Sequence, residues 1–243
     1  MRKWLLLSLF FVAACSRSYH ITSEQNKLYA VSDSVSSDSM MISMLAPYKQ
    51  GMNATMQQVV GFTDTTLYKA QPESALGNFV ADALLKRGRS VNTSVDAAVM
   101  NYGGLRIPYI TAGNITLGKL YELMPFDNML CIVSVSGVVL HQFCDHMAML
   151  GGWPVSNIRF RIKNKKATDI FINGIPLDIQ RSYLIATNDY LATGGDDCSF
   201  LKTLPRQTTN IFIRDIIIDE VKALNNEHKP IHANLEKRVI YAE

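Results

Sequence analysis

The chain has 243 residues, 48% of them hydrophobic, with 24 Lys+Arg against 21 Asp+Glu. That length and apolar content support one or at most two compact cores, and a nearly balanced charge with no clustered basic face excludes a dedicated nucleic-acid binder. Its four cysteines show no CxxC spacing, which argues against a disulfide scaffold or a zinc site.

The chain opens on the basic Met1-Arg2-Lys3, followed by an apolar run from Trp4 to Ala14. The run is the length of a signal-peptide core and too short to span a bilayer. It ends Val12-Ala13-Ala14-Cys15, which resembles the bacterial lipobox, where the cysteine is lipidated and becomes the first mature residue. A plain cleaved signal peptide and a fortuitous cysteine are the alternatives. On the lipobox reading, residues 1–15 are a leader, Cys15 is the lipidation site, and acyl chains hold the protein on a membrane surface in the cell envelope, periplasmic or outer-membrane-associated. Loss of Arg2 and Lys3 from the 24 basic residues leaves 22 against 21 acidic, so the basic excess nearly vanishes. Residues 16–38, rich in Ser, Asp, Asn and Gln, read as a polar tether, and 39–243 as the folded domain.

Within that domain, Met40 to about Tyr48 is expected to form a short helix ending near Pro47 or Gly51, and Met56 to Phe62 a strand. Ala75/Leu76, Phe79/Val80 and Ala83/Leu84 recur at helical spacing, with Pro72 suited to the first turn, Gly77 marking close packing and Gly88 a stop. A strand over Asp96 to Met100 runs into Asn101-Tyr102-Gly103-Gly104-Leu105-Arg106, which either turns a guanidinium into a cleft or leaves Arg106 in solvent after a tight turn. A helix over Thr116 to Leu123 stops at Pro125-Phe126-Asp127-Asn128, placing Phe126 on a loop where its ring needs the core or a ligand. Then come a strand (Met129 to Val135), a helix with Val139, Leu140, Phe143, Cys144 and Met147 as its buried stripe, strands at Ile158 to Ile162 and Asp169 to Ile172, and a hairpin signal at Asn173-Gly174. His141 and His146 are five apart, which is not a helical metal-pair spacing. Cys131 and Cys144 read as small buried hydrophobes. A helix over Asn210 to Leu224 and a strand at Arg238 to Tyr241 close the chain.

The stretch that the others serve is Asn188-Asp189-Tyr190-Leu191-Ala192-Thr193-Gly194-Gly195-Asp196, entered from a buried strand, Tyr183 to Ala186. Gly194 and Gly195 let the backbone pass close to another group, while Tyr190 and Asp196 offer a flat aromatic face and a carboxylate acceptor. That suits a planar, hydroxylated ligand; the alternative is a tight turn with Tyr190 in the core. Alternating helices and strands indicate an α/β (α+β) fold, mixed sheets covered by helices.

Four motifs occur in order: Glu73 to Ala83 (Glu-x-x-x-Gly-Asn-x-x-x-Asp-Ala), Asn101 to Arg106 (Asn-x-Gly-Gly-Leu-Arg), Pro125 to Asn128, and Asn188 to Asp196 (Asn-Asp-Tyr-Leu-Ala-x-Gly-Gly-Asp). Together they resemble the C-terminal, substrate-recognition domain of the 5'-nucleotidase family, which includes UDP-sugar hydrolases and 2',3'-cyclic phosphodiesterases. The resemblance implies a nucleobase stacked between Phe126 and Tyr190, a ribose hydrogen-bonded by Asp196, a base edge met by Asn128, and a phosphate or carboxylate met by Arg106. Tyr190→Phe is then expected to cost little. Lys69-Ala70-Gln71-Pro72 stand where the family usually has further arginines, so phosphate contact should be weak, and Asp127 stands where a small residue is common. The family's chemistry belongs to a metallophosphatase domain holding two divalent metals, whose Asp-x-His, Asn-His-Glu/Asp and Gly-His-x-His signatures are not found here. The resemblance therefore implies a nucleotide- or nucleoside-binding lipoprotein with no cofactor of its own, completing a split 5'-nucleotidase with a separate metallophosphatase partner. A non-catalytic binding or scaffold protein of the same fold is the alternative.

Overall fold

The computed structural model describes residues 19–30, 32 and 35–242; the leader and Cys15 lie outside them. Contacts divide the chain into a unit up to Ala46 and a compact unit from Pro47 onward. Residues 19–30 are exposed and carry no helix or strand. Helix α1 (Ser39–Met56) begins where Asp38 accepts the amides of Met40 and Met41. It runs through Pro47 and Gly51, against the expectation of a stop there. Pro47 removes one intrahelical bond, which does not interrupt this helix.

The compact unit is built around a five-stranded sheet in the order β12-β6-β11-β3-β7. Its strands are β3 (Ala97–Val99), β6 (Met129–Ser136), β7 (Val155–Ser156), β11 (Ser182–Asn188) and β12 (Arg206–Phe212). β3 and β11 are parallel, whereas β6 is antiparallel to both β11 and β12. Alternate residues face opposite ways, and both faces are covered. Leu130, Ile132, Ala98 and Ala186 join the core beneath α2 (Ala75–Val91) and α6 (Ile213–Asn226). Cys131, Val133, Val99 and Ile185 join the core beneath α4 (Gly137–Met149) and a second, four-stranded sheet. That sheet has the order β10-β9-β8-β13, from β8 (Ile158–Lys163), β9 (Lys166–Ile172), β10 (Ile175–Pro176) and β13 (Val239–Tyr241). Two small ribbons complete the fold: β1 (Val59–Thr63) with β5 (Gly113–Thr116), and β2 (Leu67–Tyr68) with β4 (Tyr109–Ile110), followed by α3 (Leu117–Leu123). The α/β class with mixed, helix-covered sheets is the one expected.

Local signals set several boundaries, the Asn173-Gly174 hairpin among them as read. Ser74 caps α2 by accepting the Gly77 amide, and Ser136 caps α4 by accepting the Val139 amide. Asn173 and Gly174 both have positive φ and turn β9 into β10. Four details differ. Pro72 precedes the cap of α2 instead of lying in its first turn. Gly88 sits inside α2, where a Cβ would come within 2.9 Å of the Ala186 Cβ, so it lets the helix press onto β11. The strand into the key stretch continues to Asn188, and Asp189–Ala192 form a single helical turn, α5. Residues 206–212 form an edge strand, so α6 starts at Ile213 and not at Asn210.

Candidate functional site

The topology brings three of the four motifs to one end of the central sheet, while Glu73 and Asp82 of the first motif bond Asn78, Ser156 and Arg238 away from the two rings. Because β3 and β11 are parallel and β6 and β12 relate to them through antiparallel pairs, this end gathers Asn101 after β3, Asn188 at the end of β11, Asn128 before β6 and Ile213 after β12. The carboxyl ends of parallel strands are the usual place for ligands in open α/β sheets.

Asn188 is fully buried and organises the centre. Its side-chain oxygen accepts the Leu191 amide and starts α5, while its Nδ2 donates to Asn101 Oδ1 at 3.0 Å. Asn101 Nδ2 in turn donates to Asp196 Oδ2 at 2.7 Å. Tyr190 Oη donates to Asp196 Oδ1 at 2.8 Å, and the Asp196 amide donates back to the same hydroxyl at 3.1 Å. The bond to the Asp196 carboxylate pushes the Tyr190 phenol above its ordinary pKa. Asp196 itself has φ of 47°, after Gly194 at 101°, and His146 Nε2 donates to its carbonyl at 2.8 Å. The His146 ring lies edge-on to Trp153 and Phe200, which fixes its direction. Gly195 runs beneath Tyr190 so closely that a Cβ there would be 2.5 Å from the Tyr190 ring. Tyr190 is thus backed on one side, pinned at its hydroxyl, and still 43% exposed.

The second ring is Phe126, 46% exposed. The Arg106 guanidinium carbon is 5.5 Å from its centroid. Arg106 donates to the Gly103 carbonyl at 3.3 Å and has no carboxylate partner among the described residues. Gly104 is buried beside Asn101, where a side chain would collide with it. On the other side, Asp189 Oδ1 accepts the amides of Met129 and Tyr190, at 3.0 and 2.9 Å, tying the loop of one ring to the turn of the other. The Asn128 carbonyl accepts the Ile213 amide at 2.8 Å, while its carboxamide makes no hydrogen bond within the described residues. A cavity of about 340 Å³ lies elsewhere, lined by residues including Asp82, Ser156, Arg159, Glu236 and Arg238. The two rings therefore stand on an exposed ledge.

Three contributors were not singled out from the sequence. Lys69 turns inward: Nζ donates to the Leu105 carbonyl at 2.7 Å and lies 3.9 Å from the Tyr102 ring centroid. Burial, with help from the Arg106 charge, lowers its pKa. Lys69 is thus bonded to the residue before Arg106, in the stretch expected to contact phosphate only weakly. Arg214 bonds Asp127 at 2.7 Å, and its guanidinium carbon is 4.3 Å from the Tyr121 ring centroid. His146 was weighed only as a metal ligand. Among the described residues no group of three or more His, Cys, Asp or Glu is placed to hold a metal ion, so they do not fit a two-metal ligand set. Cys198, buried under the Asp196 turn, is pushed up to about 12 by desolvation and the nearby Asp196 and Asp197, which keeps it an unreactive thiol.

Residues 57–203, which contain all four motifs, match the family described as 5'-nucleotidase, C-terminal domain. The chain belongs to that family. Protein UshA of Escherichia coli K12 is 27% identical over 184 residues, covering 74% of this chain and 33% of UshA. A 5'-nucleotidase of Vibrio parahaemolyticus is 27% identical over 225 residues, covering 86% of this chain and 38% of its own length. The chain thus spans about a third of these relatives. Among solved structures, a 5'-nucleotidase precursor from Thermus thermophilus superposes with a TM-score of 0.72 at 27% identity, over 84% of this chain and 43% of that one. The NAD nucleotidase of Haemophilus influenzae, at 20% identity and a TM-score of 0.63, shares the fold. As a 5'-nucleotidase C-terminal domain, the chain places its Asn-Asp-Tyr and Pro-Phe motifs on adjoining segments, joined through Asp189.

Proposed function

We propose that this chain supplies base and ribose recognition for a split 5'-nucleotidase, with phosphomonoester hydrolysis performed by a metallophosphatase on a separate chain. The observation that carries the reading is the chain of hydrogen bonds Asn188 to Asn101 to Asp196 to Tyr190, which holds a carboxylate beside a backed, solvent-facing ring. Each Asp196 oxygen already accepts one internal bond, and each keeps a lone pair for a ribose hydroxyl. A base stacking on Tyr190 and Phe126 gains about 1 to 3 kcal/mol per aromatic contact, largely whatever its identity. Arg106, exposed and without a carboxylate partner, meets the phosphate through charge-assisted hydrogen bonds. The partner's divalent metals would activate water and clamp the phosphoryl group; the residues described here position the nucleoside and contribute no proton transfer.

The family match and the relatives named as nucleotidases support this reading. The chain acts in the bacterial cell envelope, tethered through a lipid on Cys15. Phosphatase activity on AMP and UDP-sugars, measured for the purified chain, for a co-expressed exported metallophosphatase, and for both, tests the division of labour. Activity is expected only when the metallophosphatase is present, with a lower KM when the chain is added. An unchanged KM, together with no adenosine binding to the chain, replaces this reading with that of a scaffold. Cys15→Ser is expected to move the protein out of the membrane fraction, and full retention there overturns the anchor.

A further inference from the structure

Between Leu123, whose carbonyl accepts the Arg106 amide, and Met129, whose amide is held by Asp189, the aromatic loop crosses an exposed surface. Met124 keeps its amide on the Leu120 carbonyl, and beyond it two hydrogen bonds fix the crossing within the described residues: Ile213 amide to Asn128 carbonyl, and Arg214 Nη2 to Asp127 Oδ1 at 2.7 Å. Both come from the junction of β12 and α6. The second is chemically unexpected. Arg214 lies in the first turn of α6, where the helix dipole disfavours a cation. Its side chain is only 11% exposed, its Nε is buried without an acceptor, and Asp127 is its one carboxylate partner among the described residues. An apolar residue could cover Tyr121 without these costs. Asp127, in contrast, is 73% exposed on its side chain and needs no partner for solvation.

We propose that Arg214 and Asp127 are positioning residues: a latch that fixes the angle at which the neighbouring Phe126 presents its ring to the nucleobase. Tyr121 supports the guanidinium from one side, so its fork stays aimed at the loop. With the latch closed the ring is pre-set; with it open, the Asn128 carbonyl bond and the Arg106 guanidinium beside the ring remain, but no hydrogen bond among the described residues holds a side chain of residues 125–128, so the ligand must order the loop, which weakens binding. The proposal rests on the nucleotide-recognition reading for its consequence, though not for its geometry.

The test pairs two measurements on the full chain: adenosine affinity by calorimetry, and amide hydrogen exchange over residues 125–129 without ligand. Asp127→Asn is expected to weaken adenosine binding about fivefold and to speed exchange in the loop, with the melting temperature unchanged. Asp127→Glu keeps the charge on a freely exposed stem and is expected to restore both. Arg214→Ala in the Asp127→Asn background should add no further loss of affinity, because one interaction has already been removed. Unchanged exchange and wild-type affinity in Asp127→Asn overturn the latch. If wild type binds no adenosine, the recognition reading falls, and the exchange data alone then uphold or overturn the latch.

Discussion

Tyr190→Phe separates the two jobs of that side chain. The ring stays and can still stack, but Asp196 loses a bond at 2.8 Å from the phenol, and its amide loses an acceptor at 3.1 Å. A net hydrogen bond contributes about 0.5 to 1.5 kcal/mol, and because Tyr190 is 43% exposed, water replaces part of what is lost. The expected cost to ribose binding is therefore about 1 kcal/mol, or roughly fivefold, more than the negligible cost inferred from the sequence. Calorimetry with adenosine and with free adenine reads the difference, since only adenosine carries the hydroxyls that Asp196 would accept. Adenosine should lose the full factor and adenine almost none. Equal losses for both would mean that the hydroxyl acts by setting the ring under the base and not through the ribose; no loss for adenosine would mean that Asp196 does not depend on the phenol. The alkaline limb gives a second readout. A phenol whose pKa is raised in the folded state contributes stability that is complete below its unfolded value near 10 and is lost as pH rises beyond it. Tyr190→Phe should remove that component of the fall in melting temperature above pH 10.

Gly195→Ala places a methyl 2.5 Å from the Tyr190 ring, so the ring must shift by roughly 1 Å; adenosine affinity should drop by about 1 to 3 kcal/mol, while Gly51→Ala, a control in α1 facing open space, should leave binding unchanged. Arg106→Ala should weaken AMP more than adenosine in parallel titrations, because the charge is read by phosphate. Arg238→Ala removes two bonds to Asp82, one to the Val155 carbonyl and one to Glu236; denaturant unfolding should show a loss of about 3 kcal/mol, the low end for a broken buried pair because Asp82 is half exposed and can rehydrate.

Elements with strong periodicity were legible. The stripe Leu140, Phe143, Cys144 and Met147 and the alternation of Ile158, Phe160 and Ile162 each follow from burial of one face, and the structure buries those residues, while Val139, read with the stripe, is only half-buried against the same core. The edge strand at 206–212 was not legible, because an edge strand buries little and Arg206, Gln207 and Thr208 carry no apolar signal. Its last residues then merge with the apolar pattern of α6, which is why the helix was begun too early. Pro47 and Gly51 misled in the opposite direction, since both weaken a helix without ending this one. At the candidate site the motif residues were legible because their spacing is distinctive. Lys69, Arg214 and His146 were not, because each acts through a partner far along the chain: Leu105, Asp127 and Asp196. Long-range pairing of that kind leaves no local mark.

The rims of the sheets have a consequence for how copies of this protein behave beside one another. An unpaired strand rim is a template on which a second chain can add a strand. Here the central sheet ends on one side in the two residues of β7 and on the other in β12, whose register shifts between Thr208 and Phe212. The second sheet ends in β10, which carries Pro176 and offers one fewer amide, and in the three residues of β13. None of these rims presents a long, flat ladder. Neighbouring copies would therefore gain little by adding a strand to any of these rims.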